Sequence, residues 1–135
     1  MSKFLLEIIT PKGVYLKDEV NELYLETSNG YMGIMAKCAP LITGVKIAPG
    51  FILKDNKKEY YAFFGGVLHI DKSGVRLIVN NVERADTIDK TRAKNSLERA
   101  QERLNKKSDV VDQKRAELAL KRALARIRSV ERDFL

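Results

Sequence analysis

Two periodicities divide the chain. Up to about residue 84, apolar and polar positions alternate in short runs broken by turn residues roughly every ten positions, the signature of strands with one covered face. Phe4-Leu5-Leu6-Glu7-Ile8-Ile9 is the first such run, turned by Pro11-Lys12-Gly13. Val20 to Thr27 sets Leu23, Leu25 and Thr27 on a dry face and Glu22, Tyr24 and Glu26 on a wet one. Phe51 to Lys54, then Asp55-Asn56-Lys57, then Glu59 to Phe64 has hairpin spacing, because Asp and Asn tolerate the left-handed backbone of tight connections. Val67 to Ile70, Lys72-Ser73-Gly74 and Val75 to Val79 repeat the arrangement. The pattern predicts roughly eight to ten short strands, antiparallel in their connections, forming a β-sandwich or flattened barrel.

Beyond residue 85 the period changes to that of a helix. Ile88, Ala93, Leu97, Ala100 and Leu104 form a narrow apolar stripe, with Asp86 or Thr87 as the expected cap and Asp89 in the first turn. Asn105 to Asp109 interrupts it. Ala116, Leu120, Ala123, Ile127, Val130 and Phe134 then step by four and three along a second helix. A five-residue link between two such helices predicts an antiparallel hairpin. The fold class is thus α+β in two parts, a sandwich over residues 1–84 and a two-helix hairpin over 85–135. So thin a stripe of alanines supplies only a few kcal/mol of docking at about 25 cal/mol per Å², which makes the hairpin a candidate moving part.

Composition sharpens this division. All 8 Gly and all 3 Pro lie at or before Gly74, and Phe134 is the only aromatic residue after Phe64. Of the formal charge of +7, most belongs to residues 85–135, with 14 Lys/Arg against 9 Asp/Glu. Such a basic excess favours an anionic partner without selecting among nucleotide phosphate, nucleic acid, an acidic protein surface and anionic lipid. The single Cys38 excludes an internal disulfide, fits a reducing compartment and is expected to be a small buried hydrophobe. No run approaches the roughly 18 apolar residues of a membrane span, and Glu7 interrupts the apolar start before a signal-type core forms.

Candidate chemistry is sparse. One His and one Cys, with no nucleophile elbow, no metal-ligand spacing and no phosphate-loop lysine, leave no catalytic pair and no metal site. His69 alternates with Leu68 and Ile70 and is expected on the outer surface. Gly30-Tyr31-Met32-Gly33 is a weak phosphate-loop signal, read as turn glycines, and Gly65-Gly66 reads as a bulge or a close backbone approach. The arginines carry more. Arg92 and Arg99 share a face of the first helix, and Arg115, Arg122 and Arg126 share a flank of the second. Guanidinium forks suit phosphate, although spacing alone favours solvated local ion pairs such as Glu117 with Lys121 and Glu102 with Lys106.

Over its whole length the sequence resembles the epsilon subunit of bacterial F-type ATP synthases. The residues that carry the likeness are Gly30-Tyr-Met-Gly33-Ile34 followed by Ala39-Pro40-Leu41-Ile42-Thr43, then Gly65-Gly66-Val67-Leu68, and above all Ile88-Asp89-Lys90-Thr91-Arg92-Ala93. The last fits the Ile/Leu-Asp-x-x-Arg-Ala motif of the ATP-binding type. The resemblance implies a non-catalytic regulatory subunit at the cytoplasmic face of the bacterial cell membrane. Its sandwich would bind the gamma subunit and the membrane rotor ring. Its hairpin would hold ATP, as a regulatory ligand, when folded down, and would inhibit hydrolysis at the catalytic alpha/beta hexamer when extended. Carried over by motif, the nucleotide-binding residues are Glu83, Ile88, Asp89, Arg92, Ala93, Arg99, Arg122 and Arg126, while Thr87 and Lys90 fall at variable positions. Cys38 departs from the family, where His is common. The alternative is a β-domain whose basic hairpin binds nucleic acid, against which stands the lack of base-stacking aromatics on the hairpin. An enzyme is the third class, disfavoured by the missing nucleophile and base.

Overall fold

The computed structural model describes residues 2–106 and 109–134. Eight strands come first: β1 (Phe4–Thr10), β2 (Gly13–Val20), β3 (Glu22–Thr27), β4 (Gly30–Ile34), β5 (Leu41–Lys54), β6 (Lys57–Asp71), β7 (Gly74–Val79) and β8 (Val82–Arg84). Their order is β2-β1-β7-β6-β5-β3-β4, with β8 also paired to β6. The path is open at β2 and β4, so the sandwich is not a closed barrel. The period-two reading of β3 holds residue by residue, because Leu23, Leu25 and Thr27 are fully buried. Asp55 and Asn56 take φ of 51° and 65°, the left-handed pair that a two-residue hairpin between β5 and β6 requires.

Long-range pairing departs from the local pattern in one respect. β1 and β7 run parallel, from Leu6 opposite Val75 to Ile9 opposite Ile78. Local alternation predicts antiparallel neighbours, but these two strands are far apart in sequence and no tight turn constrains their direction. The halves of the sandwich share β6. Its Gly66–Asp71 part pairs with β7 and its Tyr61–Phe63 part with β8. Between them Gly65 and Gly66 adopt φ of +80° and +159°, and a Cβ on Gly66 would lie 1.9 Å from the Ile78 carbonyl oxygen. The glycine pair therefore serves close backbone approach. Asn80 bridges the bend, its backbone N–H donating to the Gly65 carbonyl at 3.0 Å and its side-chain amide to that of Phe64 at 3.3 Å.

Two helices follow a short 3-10 turn at Ala85–Thr87: α1 (Lys90–Asn105) and α2 (Val110–Glu131). Neither Asp86 nor Thr87 caps α1. The Thr87 hydroxyl closes the preceding turn on the Arg84 carbonyl at 2.7 Å, which moves the helix start to Asp89, whose carboxylate accepts from the Arg92 N–H at 3.1 Å. Lys107 and Ser108 of the expected link lie outside the described residues; at its end Asp109 caps α2 by accepting from the Asp112 N–H at 2.9 Å. The pairing is antiparallel: Gln113 donates to the Lys106 carbonyl at one end, and at the other the Lys90 ammonium lies 3.3 Å from the Glu131 carboxylate.

On α1 the buried residues are Ala93 and Ala100; on α2 they are Ala116, Ala123, Ala125, Ile127 and Ser129. Ala125 and Ser129 lie off the predicted stripe because α2 has a second covered face, turned to the sandwich. There Ala125 packs with Ala62 and Phe64, joined by Ile47 and Ile88. Phe134 is not on the stripe at all. α2 ends at Glu131, Arg132 turns left-handed at φ 57°, and the ring of Phe134 is delivered to the sandwich instead. The Tyr24 face of β3, wet by its pattern, is half-buried as a result.

Two surface expectations divide. His69 stands half-buried on the outer face, 3.7 Å from the Asp71 carboxylate. Cys38 is exposed rather than buried, on the loop after β4 where no strand alternation turns it inward. No helix among the described residues is long and apolar enough to cross a membrane.

Candidate functional site

The seam between the two parts of the chain builds a cavity. β8 places Glu83 opposite Ala62 of β6, so its carboxylate leaves the sheet beside the start of the helices. The 3-10 turn reverses the chain. Ile88 then anchors in the small apolar cluster with Phe64 and Ala125, which fixes where Asp89 begins α1. From the other side α2 brings Arg126 across the gap, and its guanidinium donates two hydrogen bonds of 2.9 Å each to the Glu83 carboxylate oxygens. The same guanidinium lies 4.9 Å from the centre of the Phe64 ring. Planar fork, carboxylate and ring together set the orientation of Arg126.

The resulting cavity of about 340 Å³ is lined by Glu83, Thr87, Ile88, Asp89, Arg92, Ala93, Ser96 and Arg126. Six of the eight residues expected from the sequence therefore converge on one hollow from three separate segments. Arg99 and Arg122 do not line it. Arg99 is exposed and donates to the Ser96 hydroxyl at 3.0 Å; Arg122 is exposed one turn before Arg126. Both stand one helical turn from a lining residue. Ser96 lines the hollow without having been singled out in the sequence, and Thr87, expected as a cap at a variable motif position, lines it as well. Ser96 shares a helix face with Arg92 and Arg99 at i+4 and i−3, and that spacing is the signal that could have found it.

Two carboxylates and two guanidiniums line the cavity, so its formal charge balances. Asp89 spends one oxygen on the helix cap, Glu83 both on Arg126 and Thr87 its hydroxyl hydrogen on the Arg84 carbonyl, which leaves the Arg92 guanidinium and the Ser96 hydroxyl as donors to a ligand. Among the described residues no group of three or more His, Cys, Asp or Glu is arranged to hold a metal ion. A larger hollow of about 530 Å³ lies on the sandwich between Tyr15, Asp18, Lys54, Glu59, Tyr61 and Arg84. Most of its charges are already engaged: Lys54 bonds Asp18, the Tyr61 hydroxyl donates to Glu59 at 2.9 Å, and Arg84 lies 3.1 Å from Asp86. The cavity at the seam, with a free guanidinium beside an apolar flank of Ile88 and Ala93, is the stronger candidate.

Comparison with known proteins agrees with this layout. Residues 3–85 match the model of the ATP synthase delta/epsilon chain β-sandwich domain, and residues 86–131 match that of the delta/epsilon chain long α-helix domain. The ATP synthase epsilon chain of Macrococcus caseolyticus is 42% identical over 107 residues, covering 78% of this chain and 79% of the relative. That of Desulforamulus reducens is 35% identical over 126 residues, covering 93% and 96%. Among solved structures, a chain of the Euglena gracilis mitochondrial ATP synthase superposes with a TM-score of 0.82 at 20% identity, over 91% of this chain and 78% of that one. A chain of the Tetrahymena thermophila mitochondrial ATP synthase central stalk and c-ring does so with a TM-score of 0.64 at 14% identity, over 99% and 98%. At such identities the two structures speak for the fold alone. With both halves matched in order and relatives aligned almost end to end, the chain belongs to the ATP synthase delta/epsilon chain family.

Proposed function

We propose that this chain is the epsilon subunit of the central stalk of a bacterial F-type ATP synthase and that its hairpin, folded as described, binds ATP in the cavity at the seam. As a member of that family it is a non-catalytic subunit rather than an enzyme by itself. The observation that carries the nucleotide reading is the convergence of Glu83, the Ile88–Ala93 segment and Arg126 around one cavity. Ile88 and Ala93 offer an apolar flank to a base, carboxylates accept from an exocyclic amine, and Arg92 offers a fork to phosphate. A triphosphate brings more charge than the balanced lining offsets. Arg99 and Arg122, one turn away and exposed, supply the remaining cations by rotamer change.

The energetics suit a switch. The hairpin docks through small side chains, a single bidentate ion pair and the Phe134 ring, a surface thin enough for a ligand to tip its balance. A ligand at 100 times its dissociation constant stabilises the form that binds it by about 2.7 kcal/mol, comparable with so thin a docking surface. Released, the hairpin extends along gamma and presents its arginines to the catalytic hexamer, inhibiting hydrolysis.

The sandwich supports the stalk role through its outer face. Val14, Ile9, Ile78 and Val67 stand in direct register across β2, β1, β7 and β6, and Val14, Val67 and Ile78 are exposed, with exposed Ile42 beside them on β5. A continuous apolar row over four strands fits a protein partner, and the gamma subunit is the one assigned to it here; the rotor ring is the second. The chain is then peripheral, held at the cytoplasmic face of the membrane by those partners.

Isothermal titration of the whole chain with ATP, ADP and GTP tests the nucleotide reading. Saturable binding selective for ATP is the expected result, and absence of heat with all three would remove it. Coelution with the gamma subunit tests the stalk role separately.

A further inference from the structure

A second anchor lies where α2 ends, on the side of the hairpin where Glu131 meets Lys90 at the start of α1. Four aromatic rings stand side by side on adjacent strands: Tyr60 of β6 opposite Phe51 of β5, Phe51 opposite Tyr24 of β3, and Tyr31 of β4 diagonal to Tyr24. Tyr24 stacks on both Tyr31 and Phe51 with ring centres 5.0 Å apart. Onto this row the Phe134 ring descends from the end of α2. It meets Tyr24 and Tyr31 edge-on at 5.9 Å each, Phe51 at 6.1 Å, and lies nearly parallel to Tyr60 at 5.8 Å.

The chain is shaped to deliver that ring. Arg132 adopts a left-handed backbone, φ 57° and ψ 37°, which an arginine takes only against a conformational cost. The N–H groups of Arg132 and Asp133 both turn back to the Arg128 carbonyl, and the Arg128 guanidinium donates to the Asp133 carbonyl at 3.2 Å. The Arg132 guanidinium then covers the Tyr60 ring at 4.7 Å, while Lys58 covers Phe51 at 4.6 Å from the sandwich side. Strained cap, half-buried ring and two covering cations meet at one aromatic cluster.

We infer that Phe134 is an aromatic latch: seated among Tyr24, Tyr31, Phe51 and Tyr60, it holds the C-terminal end of α2 on the sandwich and sets how often the hairpin undocks. The latch shares no residue with the lining of the cavity at the seam, so it acts with or without a nucleotide there. Most aromatic contact between hairpin and sandwich is concentrated in this one side chain, and ring pairs at these distances and tilts contribute beyond the area they bury.

Hydrogen exchange of the whole chain without nucleotide tests it. Phe134→Ala is expected to speed amide exchange through the last turns of α2 by about tenfold or more, leaving the strands at wild-type rates. Phe134→Trp, which keeps a ring, is expected to retain protection and to add an indole to a chain that has 0 Trp. Wild-type protection of α2 in Phe134→Ala would overturn the latch, as would equal loss of protection in the Ala and Trp variants. Neither result depends on whether ATP binds.

Discussion

Glu83 and Arg126 are 43 residues apart in sequence and joined by two parallel hydrogen bonds of 2.9 Å, the one bidentate ion pair described between the sandwich and the hairpin. Both side chains are about a third exposed, so solvent screens the attraction while the fork geometry keeps it directional. A double-mutant cycle with Glu83→Gln and Arg126→Ala is expected to give a coupling of about 1 kcal/mol, read from urea unfolding of the hairpin amides. A coupling near zero would mean that the pair is incidental to docking.

Asp89 serves two roles that substitution can separate. Its carboxylate caps α1, and it lines the cavity. Asp89→Asn keeps the cap and Asp89→Ala removes it, at a cost of about 1 kcal/mol of helix stability. ATP affinity is expected to fall in both variants, and helicity by circular dichroism only in Asp89→Ala. Arg92→Ala is expected to weaken ATP at least tenfold with the strands intact. Wild-type titration curves in all three would sink the site.

Tyr31 carries the alkaline side of stability. Burial is the main reason its hydroxyl is pushed up to about 12, and the hydroxyl donates to the Pro49 carbonyl at 3.0 Å. A raised value means that the folded state favours the neutral phenol. The contribution is complete below the ordinary tyrosine value of about 10 and is lost as the pH climbs from there through about 12. Ring resonances of Tyr31 followed by NMR should titrate in that window, and Phe134→Ala, by opening the cover, should draw the midpoint back toward 10.

Ile78→Glu and Val67→Lys place charges in the outer apolar row without touching the core, since both positions are exposed. Unfolding free energy should change by no more than about 0.5 kcal/mol. Coelution with the gamma subunit should be lost. Retention of the complex would assign gamma to another face.

Much of this was legible along the chain wherever one local rule acted alone. Leu23, Leu25 and Thr27 followed period two into the core, Asp55-Asn56 had the chemistry of a tight hairpin, and Ile88 to Ala93 carried its motif across the start of one helix. Legibility failed where two local solutions competed or where the decision was distant. Asp86, Thr87 and Asp89 are all capping residues, and the 3-10 turn, not residue type, chose among them. Phe134 continued the apolar step of α2, because an arginine gives no warning of a left-handed cap. The parallel pairing of β1 with β7 has no local signal at all. Ala125 and Ser129 were invisible because small residues read alike on covered and open faces.

The small side chains on α2 have a kinetic meaning. Ala116, Ala123, Ala125 and Ser129 leave two nearly smooth faces, with few long side chains to disengage before the helix can slide away. Departure and return of such a surface meet little steric friction. If the hairpin undocks as proposed, the dwell time of the docked form is set by the release of two point fasteners, Arg126 and Phe134, on the order of microseconds to milliseconds, as for other collective motions. Tuning either fastener changes how long the hairpin stays down without changing the shape of what it leaves behind.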